Sequence, residues 1–265
     1  MSGAAEARVL VHRDAEALAR AAAKRVEDAL EDALEARETV HFCITGGTIG
    51  VRVLAELAQL QNVGEPADRL NWDRIHIWWG DERFVPADSP DRNDGQARAA
   101  LIDVLALPEQ NLHPFPSADQ GLQLDDAAEA FAQTLARYGT AASPAAPVFD
   151  LQLLGVGPDG HIDSLFPGRA ELEETVATVL PVRDSPKPPP SRLTLTYPVV
   201  NAARRTWLVL SGAEKGEALA RGLSDGDRRR TPFAGASGTE ETLILTDAAA
   251  AAQLPEGRAE SVEDD

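Results

Sequence analysis

The chain has a single cysteine among its 265 residues, so it cannot form an intrachain disulfide. A protein without disulfides suits a reducing compartment. Cys43 lies within the apolar run 40–44, whereas a catalytic thiol needs an electropositive and partly exposed setting. We therefore expect Cys43 to be an inert residue of the core.

Long apolar runs and basic charge are also scarce. No run reaches the roughly 18 apolar residues of a membrane helix, and the amino terminus carries no apolar signal-peptide segment. The net charge is −18, from 43 acidic and 25 basic side chains, and this charge opposes binding to nucleic acid or anionic lipid. The sequence therefore predicts a cytoplasmic protein that binds neither nucleic acid nor membranes.

Short apolar segments and helical patterns alternate along the chain. Residues 15–37 have the three- and four-residue spacing of an amphipathic helix. Strands are predicted at 39–45, 74–79, 150–156, 178–182, 206–211 and 242–246. Alternation of this kind favours a parallel sheet, so we predict an α/β, Rossmann-like fold with an open, mainly parallel sheet and helices on both faces. One domain is expected over residues 1–254, followed by an acidic, disordered tail over 255–265.

Polar residues follow several of the predicted strands directly. The segment DLQLLGVGPDGHIDSLFPG, residues 150–168, joins a strand to a glycine-rich loop that carries His161. In open α/β sheets, ligands bind at the carboxyl ends of the strands. Other strand ends carry Gly46-Gly47-Thr48, Asp81 with Arg83, and Lys215, while Arg192 follows the stiff segment PKPPPSR. All of these groups could meet at one edge of one sheet.

Two of these segments have alternative interpretations. The turn Gly46-Gly47-Thr48 could bring N–H groups close to a phosphate, but taken alone it favours an ordinary strand-to-helix turn with Thr48 as N-cap. The charged residues 81–83 form either a solvated loop or a functional cluster. Combined with an arginine and a lysine, the glycine turn favours a phosphorylated substrate.

Three segments resemble the signature segments of the 6-phosphogluconolactonases: WWGDERFVPADSPDRND, DLQLLGVGPDGHIDSLFPG and PPPSRLTLTYPVVNAARRTWLVLSGAEKG. The likeness runs in order from about Val40 to Lys215. It implies a lactone hydrolase of carbohydrate metabolism, which converts 6-phospho-D-glucono-1,5-lactone to 6-phospho-D-gluconate in the oxidative pentose phosphate pathway. It also implies that no cofactor or metal is needed, and that the partner is the phosphorylated sugar lactone. We expect a monomer or a weak homodimer.

The resemblance also implies two groups of site residues. The catalytic group contains His161 as general base, Asp159, Asp81 and Arg83. The phosphate-binding group contains Gly46, Gly47, Thr48, Arg192 and Lys215. A neutral imidazole can take a proton from water at cytosolic pH, and Arg83 or the N–H groups of residues 157–160 could stabilise the oxyanion. The individual roles of Asp81 and Asp159 stay open.

Asp163 departs from the family pattern, in which a small residue is usual at this position. A carboxylate two residues from His161 would favour the imidazolium. We instead expect Asp163 to be a helix N-cap that points away from the site.

Two other functions share parts of this pattern. Glucosamine-6-phosphate deaminases share the glycine turn and the Gly-His loop, but they usually have Asp-Glu-Tyr where this chain has residues 81–83, and a glutamate-bearing turn where it has SLFPG. A non-catalytic sugar-phosphate sensor would normally carry a basic helix-turn-helix, and the first 40 residues show no such motif.

Overall fold

A computed structural model gives the fold and describes residues 7–63 and 69–262. The strands are β1 (Arg8–His12), β2 (Val40–Ile44), β3 (Ile75–Trp79), β4 (Asp81–Arg83), β5 (Leu112–His113), β6 (Leu151–Gly155), β7 (Val179–Val182), β8 (Arg192–Leu195), β9 (Arg205–Leu210), β10 (Glu241–Asp247) and β11 (Glu260–Ser261). Eight of them form a parallel sheet in the order β11-β1-β10-β9-β6-β2-β3-β5. The six strands predicted from the sequence correspond to β2, β3, β6, β7, β9 and β10, within one residue at each end.

Helices flank this sheet, as predicted. They are α1 (Ala15–Ala36), α2 (Gly47–Val63), α3 (Asn93–Ala97), α4 (Leu124–Arg137), α5 (Tyr197–Val200), α6 (Gly216–Asp225) and α7 (Ala248–Ala251). The longest, α1, begins after Asp14, whose carboxylate accepts the N–H groups of Glu16 and Ala17 and so caps the helix. Its apolar stripe, which includes Leu18 and Val26, is buried against the sheet and α2.

The order of the strands reverses between β2 and β6. From β2 the chain moves outward through β3 to β5, and it then returns to the other side of β2 as β6 and continues through β9 to β10. Strands β2 and β6 separate soon after Cys43, which is paired with Gln152. The Thr45 hydroxyl bridges the gap between them by accepting the Gly155 N–H at 3.0 Å. A reversal of this kind opens a crevice at the carboxyl ends of the two strands.

A second, antiparallel sheet, β4-β8-β7, was not predicted. It pairs Arg83 with Arg192 and Asp81 with Thr194. The expectation that all site residues lie on one sheet is therefore wrong. The connection is Gly80, whose N–H donates to Ile44 in the first sheet and whose carbonyl accepts from Leu195 in the second, so a single residue joins the two ladders.

The edge of the main sheet also differs from the prediction. Strand β1 was not predicted, and the tail is not disordered at Glu260 and Ser261, which form β11 and pair with β1. The Arg8 guanidinium binds the Glu260 carboxylate with two hydrogen bonds, at 3.1 and 2.9 Å. An acidic composition gave no sign of this pairing because the partner strand is distant in sequence. Residues 263–265 of the predicted tail lie outside the described residues.

Cys43 is fully buried in the core, as expected. Burial, followed by the charges of Asp163 and Asp81, raises the pKa of its thiol, so the sulfur stays protonated and unreactive. Within the described ranges, no helix has the length and apolar character needed to cross a bilayer.

Candidate active site

A cavity of about 460 Å³ opens at the crevice between β2 and β6. Its walls come from the segments that follow β2, β6 and β9, and from the second sheet. Eight of the nine predicted site residues line it: Gly46, Gly47, Thr48, Asp81, Arg83, His161, Arg192 and Lys215. The ninth, Asp159, contacts His161 from outside the lining. The structure thus brings the distant segments together as the sequence predicted.

The glycine turn leads directly into α2. The helix begins at Gly47, whose φ of +79° is disfavoured for residues with a side chain, so Thr48 lies inside the first turn and is not its N-cap. Gly46 packs against Asn93, and a Cβ at Gly46 would overlap the Asn93 amide. Gly47 and Thr48 are exposed at the cavity. The first N–H groups of a helix have no intrahelical acceptor and attract anions.

The loop that carries His161 is a tight turn. The Gly157 N–H donates to the His161 carbonyl, and the Gly160 N–H donates to the Gly157 carbonyl, both at 2.9 Å. A Cβ at Gly157 would collide with the imidazole and with Asp159. The Arg221 guanidinium donates to the Asp159 carbonyl at 3.0 Å and ties the loop to α6. The glycines therefore allow the imidazole to fold back over its own loop.

His161 is held by a carboxylate. Its Nδ1 lies 2.5 Å from Asp159 Oδ1, and its ring packs against Phe166 at a centroid distance of 4.7 Å. Burial raises the pKa of Asp159, but the hydrogen bond from His161 and the charges of His161 and Lys187 outweigh it and lower that pKa below its ordinary value. Because an ionised carboxylate can only accept, Nδ1 carries a proton, and the lone pair is on Nε2.

Lys187 stands beside this pair. Its Nζ is 3.4 Å from His161 Nδ1 and 3.7 Å from Asp159 Oδ1. Nδ1 cannot both donate to Asp159 and accept from Lys187, and the shorter distance belongs to Asp159. Lys187 therefore forms a longer ion pair with Asp159, and its side chain, 38% exposed, reaches the cavity.

Asp81 is fixed by a set of hydrogen bonds. Its Oδ1 accepts from the Asn93 amide at 3.0 Å, and its Oδ2 accepts from the Ser164 hydroxyl at 2.6 Å. Arg192 Nη1 lies 3.8 Å from Oδ2. This carboxylate is buried and has defined donors on both oxygens, so its orientation toward the cavity is set by three separate segments of the chain.

Glu82 points away from the cavity and organises the loop behind it. Its buried carboxylate accepts the backbone N–H groups of Arg83, Asn93 and Asp94, at 2.7 to 2.9 Å. Burial raises the pKa of Glu82 to about 7, against the opposing charge of Arg92 and these N–H donors. Residues 81–83 therefore point in alternating directions, since Asp81 faces the cavity while Glu82 holds the loop behind it.

Arg83 and Lys215 bring positive charge to the cavity. Arg83 donates from Nη1 to the Asp91 carbonyl, while its Nε has no partner among the described residues. Lys215 donates to the Val156 carbonyl at 2.9 Å. Burial, and then the charge of Lys187, lower the pKa of Lys215. Two ammonium groups that repel each other across a cavity are stabilised by an anion between them.

Arg192 lines the cavity and also holds the proline-rich segment that precedes it. Its Nε donates to the Pro189 carbonyl, and its Nη2 donates to the carbonyls of Lys187 and Pro188, at 3.0 to 3.2 Å. Its third nitrogen faces Asp81. The guanidinium is buried, and these donors hold the proline-rich segment in place, while its predicted contact with a phosphate stays a prediction.

Several residues with polar side chains line the cavity although they were not among the predicted site residues. They are Thr45, Arg52, Asn93, Asp163, Lys187, Ser211 and Glu214. One signal was available, because Lys187 and Lys215 are two of only three lysines in the chain. The prediction for Asp163 is wrong: it precedes no helix, its φ is +48°, and it is buried against the cavity.

Most of the chain matches one protein family. The model of the family described as glucosamine-6-phosphate isomerases/6-phosphogluconolactonase matches residues 13–245. The chain belongs to this family. It is 45% identical over 251 residues to the 6-phosphogluconolactonase of Streptomyces coelicolor, covering 93% of this chain and 94% of that protein. It is 41% identical over 251 residues to the 6-phosphogluconolactonase of Mycobacterium leprae, covering 94% and 99%.

A solved structure of the 6-phosphogluconolactonase from Trypanosoma brucei has the same fold. The TM-score is 0.81 at 26% sequence identity, and the match covers 94% of this chain and 99% of that one. Family membership and the Rossmann-like fold are thereby confirmed.

Proposed function

We propose that the chain hydrolyses 6-phospho-D-glucono-1,5-lactone to 6-phospho-D-gluconate, with His161 as the general base. The observation that carries this assignment is the imidazole held by Asp159 at the mouth of a cation-lined cavity, in a chain 41 to 45% identical to proteins named 6-phosphogluconolactonase. Lactone hydrolysis places the activity in the oxidative pentose phosphate pathway.

The first step is attack of water on the lactone carbonyl. His161 Nε2 takes a proton from this water, and Asp159 keeps the imidazole in the required tautomer and stabilises the imidazolium that forms. When the tetrahedral intermediate collapses, the imidazolium returns the proton to the ring oxygen and the ring opens. Proton transfer of this kind contributes roughly 10²–10⁴-fold to the rate.

The oxyanion needs a donor, and Arg83 is the best placed. Of the two donors considered from the sequence, the loop N–H groups of Gly157 and Gly160 already donate within their own turn. Arg83 lines the cavity and has a buried Nε without a partner in the described chain. A guanidinium that gains a hydrogen bond as charge develops on the substrate lowers the barrier.

The phosphate is assigned to Lys187, Lys215 and the first turn of α2. Lys215 and Lys187 have mutually unfavourable charges, and the exposed first turn of α2 at Gly47 and Thr48 adds a partial positive charge. Lysine binds phosphate as a point charge. Lys187 is thus added to the phosphate-binding group predicted from the sequence.

The setting is a cytoplasmic monomer or weak homodimer. The sole cysteine is a buried free thiol, which fits a reducing compartment.

A coupled assay tests the assignment. Fresh 6-phosphogluconolactone is supplied and the appearance of 6-phosphogluconate is followed, with spontaneous hydrolysis subtracted, while glucosamine 6-phosphate is offered in parallel. We expect enzyme-dependent turnover of the lactone and none of the amino sugar. Deamination of glucosamine 6-phosphate without lactone hydrolysis would contradict the proposal, as would binding of both without turnover.

A further inference from the structure

Asp163 is a buried carboxyl group that the mechanism does not use. It is 7% exposed and lines the cavity. Neither of its oxygens has a hydrogen-bond partner within residues 7–63 and 69–262. Buried polar groups in folded proteins are almost always paired, so this group requires an explanation.

The backbone around Asp163 is arranged to present this side chain. Residues 162–165 form a tight turn in which the Leu165 N–H donates to the Ile162 carbonyl at 2.9 Å. Asp163 occupies it with a φ of +48°, which is uncommon for a residue with a side chain. Its carboxyl group lies over the Cα of Gly80, where any Cβ would overlap it. Gly80 is therefore the residue that leaves room for the carboxyl group.

The surroundings of Asp163 favour its protonated form. Burial, and then the charge of Asp81, raise the pKa of Asp163 well above its ordinary value. Asp81 already has donors from Asn93 and Ser164. A protonated carboxyl group has one O–H donor and a carbonyl acceptor, and Asp163 lines the cavity with both functions unpaired in the described chain.

We propose that Asp163 is a specificity-determining residue whose carboxyl group hydrogen-bonds a hydroxyl group of the sugar lactone. This inference rests on the proposed function. A hydroxyl both donates and accepts, and so matches both atoms of the carboxyl group. A phosphate does not, because Asp81 is adjacent and the lysines lie near the His161 loop.

Such a contact selects against sugars that lack the hydroxyl. An analogue without it leaves the buried carboxyl unpaired in the complex, and sites built to hydrogen-bond a hydroxyl discriminate strongly for this reason. A packing role over Gly80 predicts something else, because loss of packing would affect every lactone equally.

The test is a matrix of variants and substrates. Wild type, Asp163→Asn and Asp163→Ala are assayed on 6-phosphogluconolactone and on its 2-, 3- and 4-deoxy analogues, each made fresh from the corresponding deoxyglucose 6-phosphate. Asp163→Asn keeps the shape and both hydrogen-bonding functions, so its kcat/KM should stay within about threefold of wild type. Asp163→Ala should lose roughly tenfold on the parent lactone, chiefly in KM.

One deoxy analogue should decide the matter. On the lactone that lacks the contacted hydroxyl, wild type and Asp163→Ala should have equal kcat/KM, which is the expected pattern of a double-mutant cycle. Equal losses on all four lactones, or no loss on any, would overturn the proposal. Asp163→Ser serves in place of the alanine variant if the latter does not fold.

The two proposals fail in different ways. Wild type on the parent lactone is measured first, and absence of turnover there contradicts the proposed function. In that case the affinities of the same variants for 6-phosphogluconate still report on Asp163: weaker binding by Asp163→Ala alone supports the contact, and equal binding by all variants overturns it.

Discussion

Two groups of histidines belong to this fold and differ in their surroundings. His161 lies at the cavity with Asp159 and Lys187 within 4 Å. The other group lies on β2, β3 and β5 and forms an aromatic cluster with Trp78 and Tyr138: His41, His76 and His113. The rings of His76 and His113 are stacked, with centroids 5.1 Å apart, and they share a hydrogen bond of 2.8 Å.

The surroundings give the same side chain opposite roles. Burial, followed by the charge of His76, lowers the pKa of His41 to about 4. Burial, followed by the charges of His76 and His41, lowers the pKa of His113 to about 3. These rings stay neutral at physiological pH and pack as aromatic groups. His161 has a carboxylate on Nδ1 and an accessible cavity, which are the features a proton acceptor needs. The groups around a histidine, and not its residue type alone, therefore determine whether it can act as a base.

The largest expected effect comes from removing the cavity histidine. His161→Ala should lower kcat for 6-phosphogluconolactone by roughly 10²–10⁴-fold, because water loses its proton acceptor. The thermal unfolding midpoint should stay close to that of wild type. Steady-state kinetics and a melting curve on the same preparation check both statements.

The matched control lies in the aromatic cluster. His76→Gln should keep kcat within about twofold while lowering the free energy of unfolding by about 1 kcal/mol, since a part-buried hydrogen bond is lost. If His76→Gln abolished activity in a folded protein, the division between the two groups would be wrong.

The partner of His161 should matter next most. Asp159→Asn is expected to lower kcat on the order of 10²-fold, because an amide can also donate and no longer enforces the Nδ1–H tautomer. KM should change little, since Asp159 lies outside the cavity lining. A tenfold rise in KM with unchanged kcat would instead make Asp159 a substrate-binding residue.

A smaller effect is expected from the cation beside the pair. Lys187→Met should raise KM for the phosphorylated lactone roughly tenfold with little change in kcat, because a phosphate contact is removed. The exposed Lys24, which pairs with Glu27 and Asp28 far from the cavity, provides the control: Lys24→Met should leave KM unchanged. An unchanged KM for Lys187→Met would place the phosphate elsewhere.

The smallest effect concerns acid stability. The pKa values of His41 and His113 are lowered in the folded state, so the unfolded chain binds their protons first as the pH falls below about 6.5. Their contribution to stability is complete above that pH and is lost as the pH falls toward 4 and 3. In His113→Gln, the slope of the unfolding free energy against pH in this window should decrease by up to about 1.4 kcal/mol per pH unit. An unchanged slope would show that His113 does not titrate as described.

The sequence predicted the main sheet because each element carries a local signal. Strands such as 206–211 are short apolar runs, and the residues after them mark the carboxyl edge where Lys215 and His161 lie. Family resemblance supplied the site residues themselves. The meeting of His161 with Lys215 follows from parallel strand order, which alternation of strands and helices already favours.

The features that the sequence did not predict depend on single residues whose partners are distant in the chain. Gly80 connects the two sheets through its backbone hydrogen bonds. Strand β4, which follows it, has only three residues, too few to show a periodic pattern. Lys187 was hidden in a segment that was interpreted only as stiff, although Arg192 holds that segment against the site. Asp163 adopts a positive φ, which no helix-capping pattern anticipates.

The central claim is that His161 acts on the lactone carbonyl while Lys187, Lys215 and the first turn of α2 hold the phosphate. The most direct test is a crystal structure of this chain with 6-phosphogluconate bound. The account predicts the product carboxylate within about 3 Å of His161 Nε2, and the phosphate against Lys215 and the first turn of α2. A product bound in the reverse direction, with its phosphate at Asp81 and its carboxylate remote from His161, would contradict it.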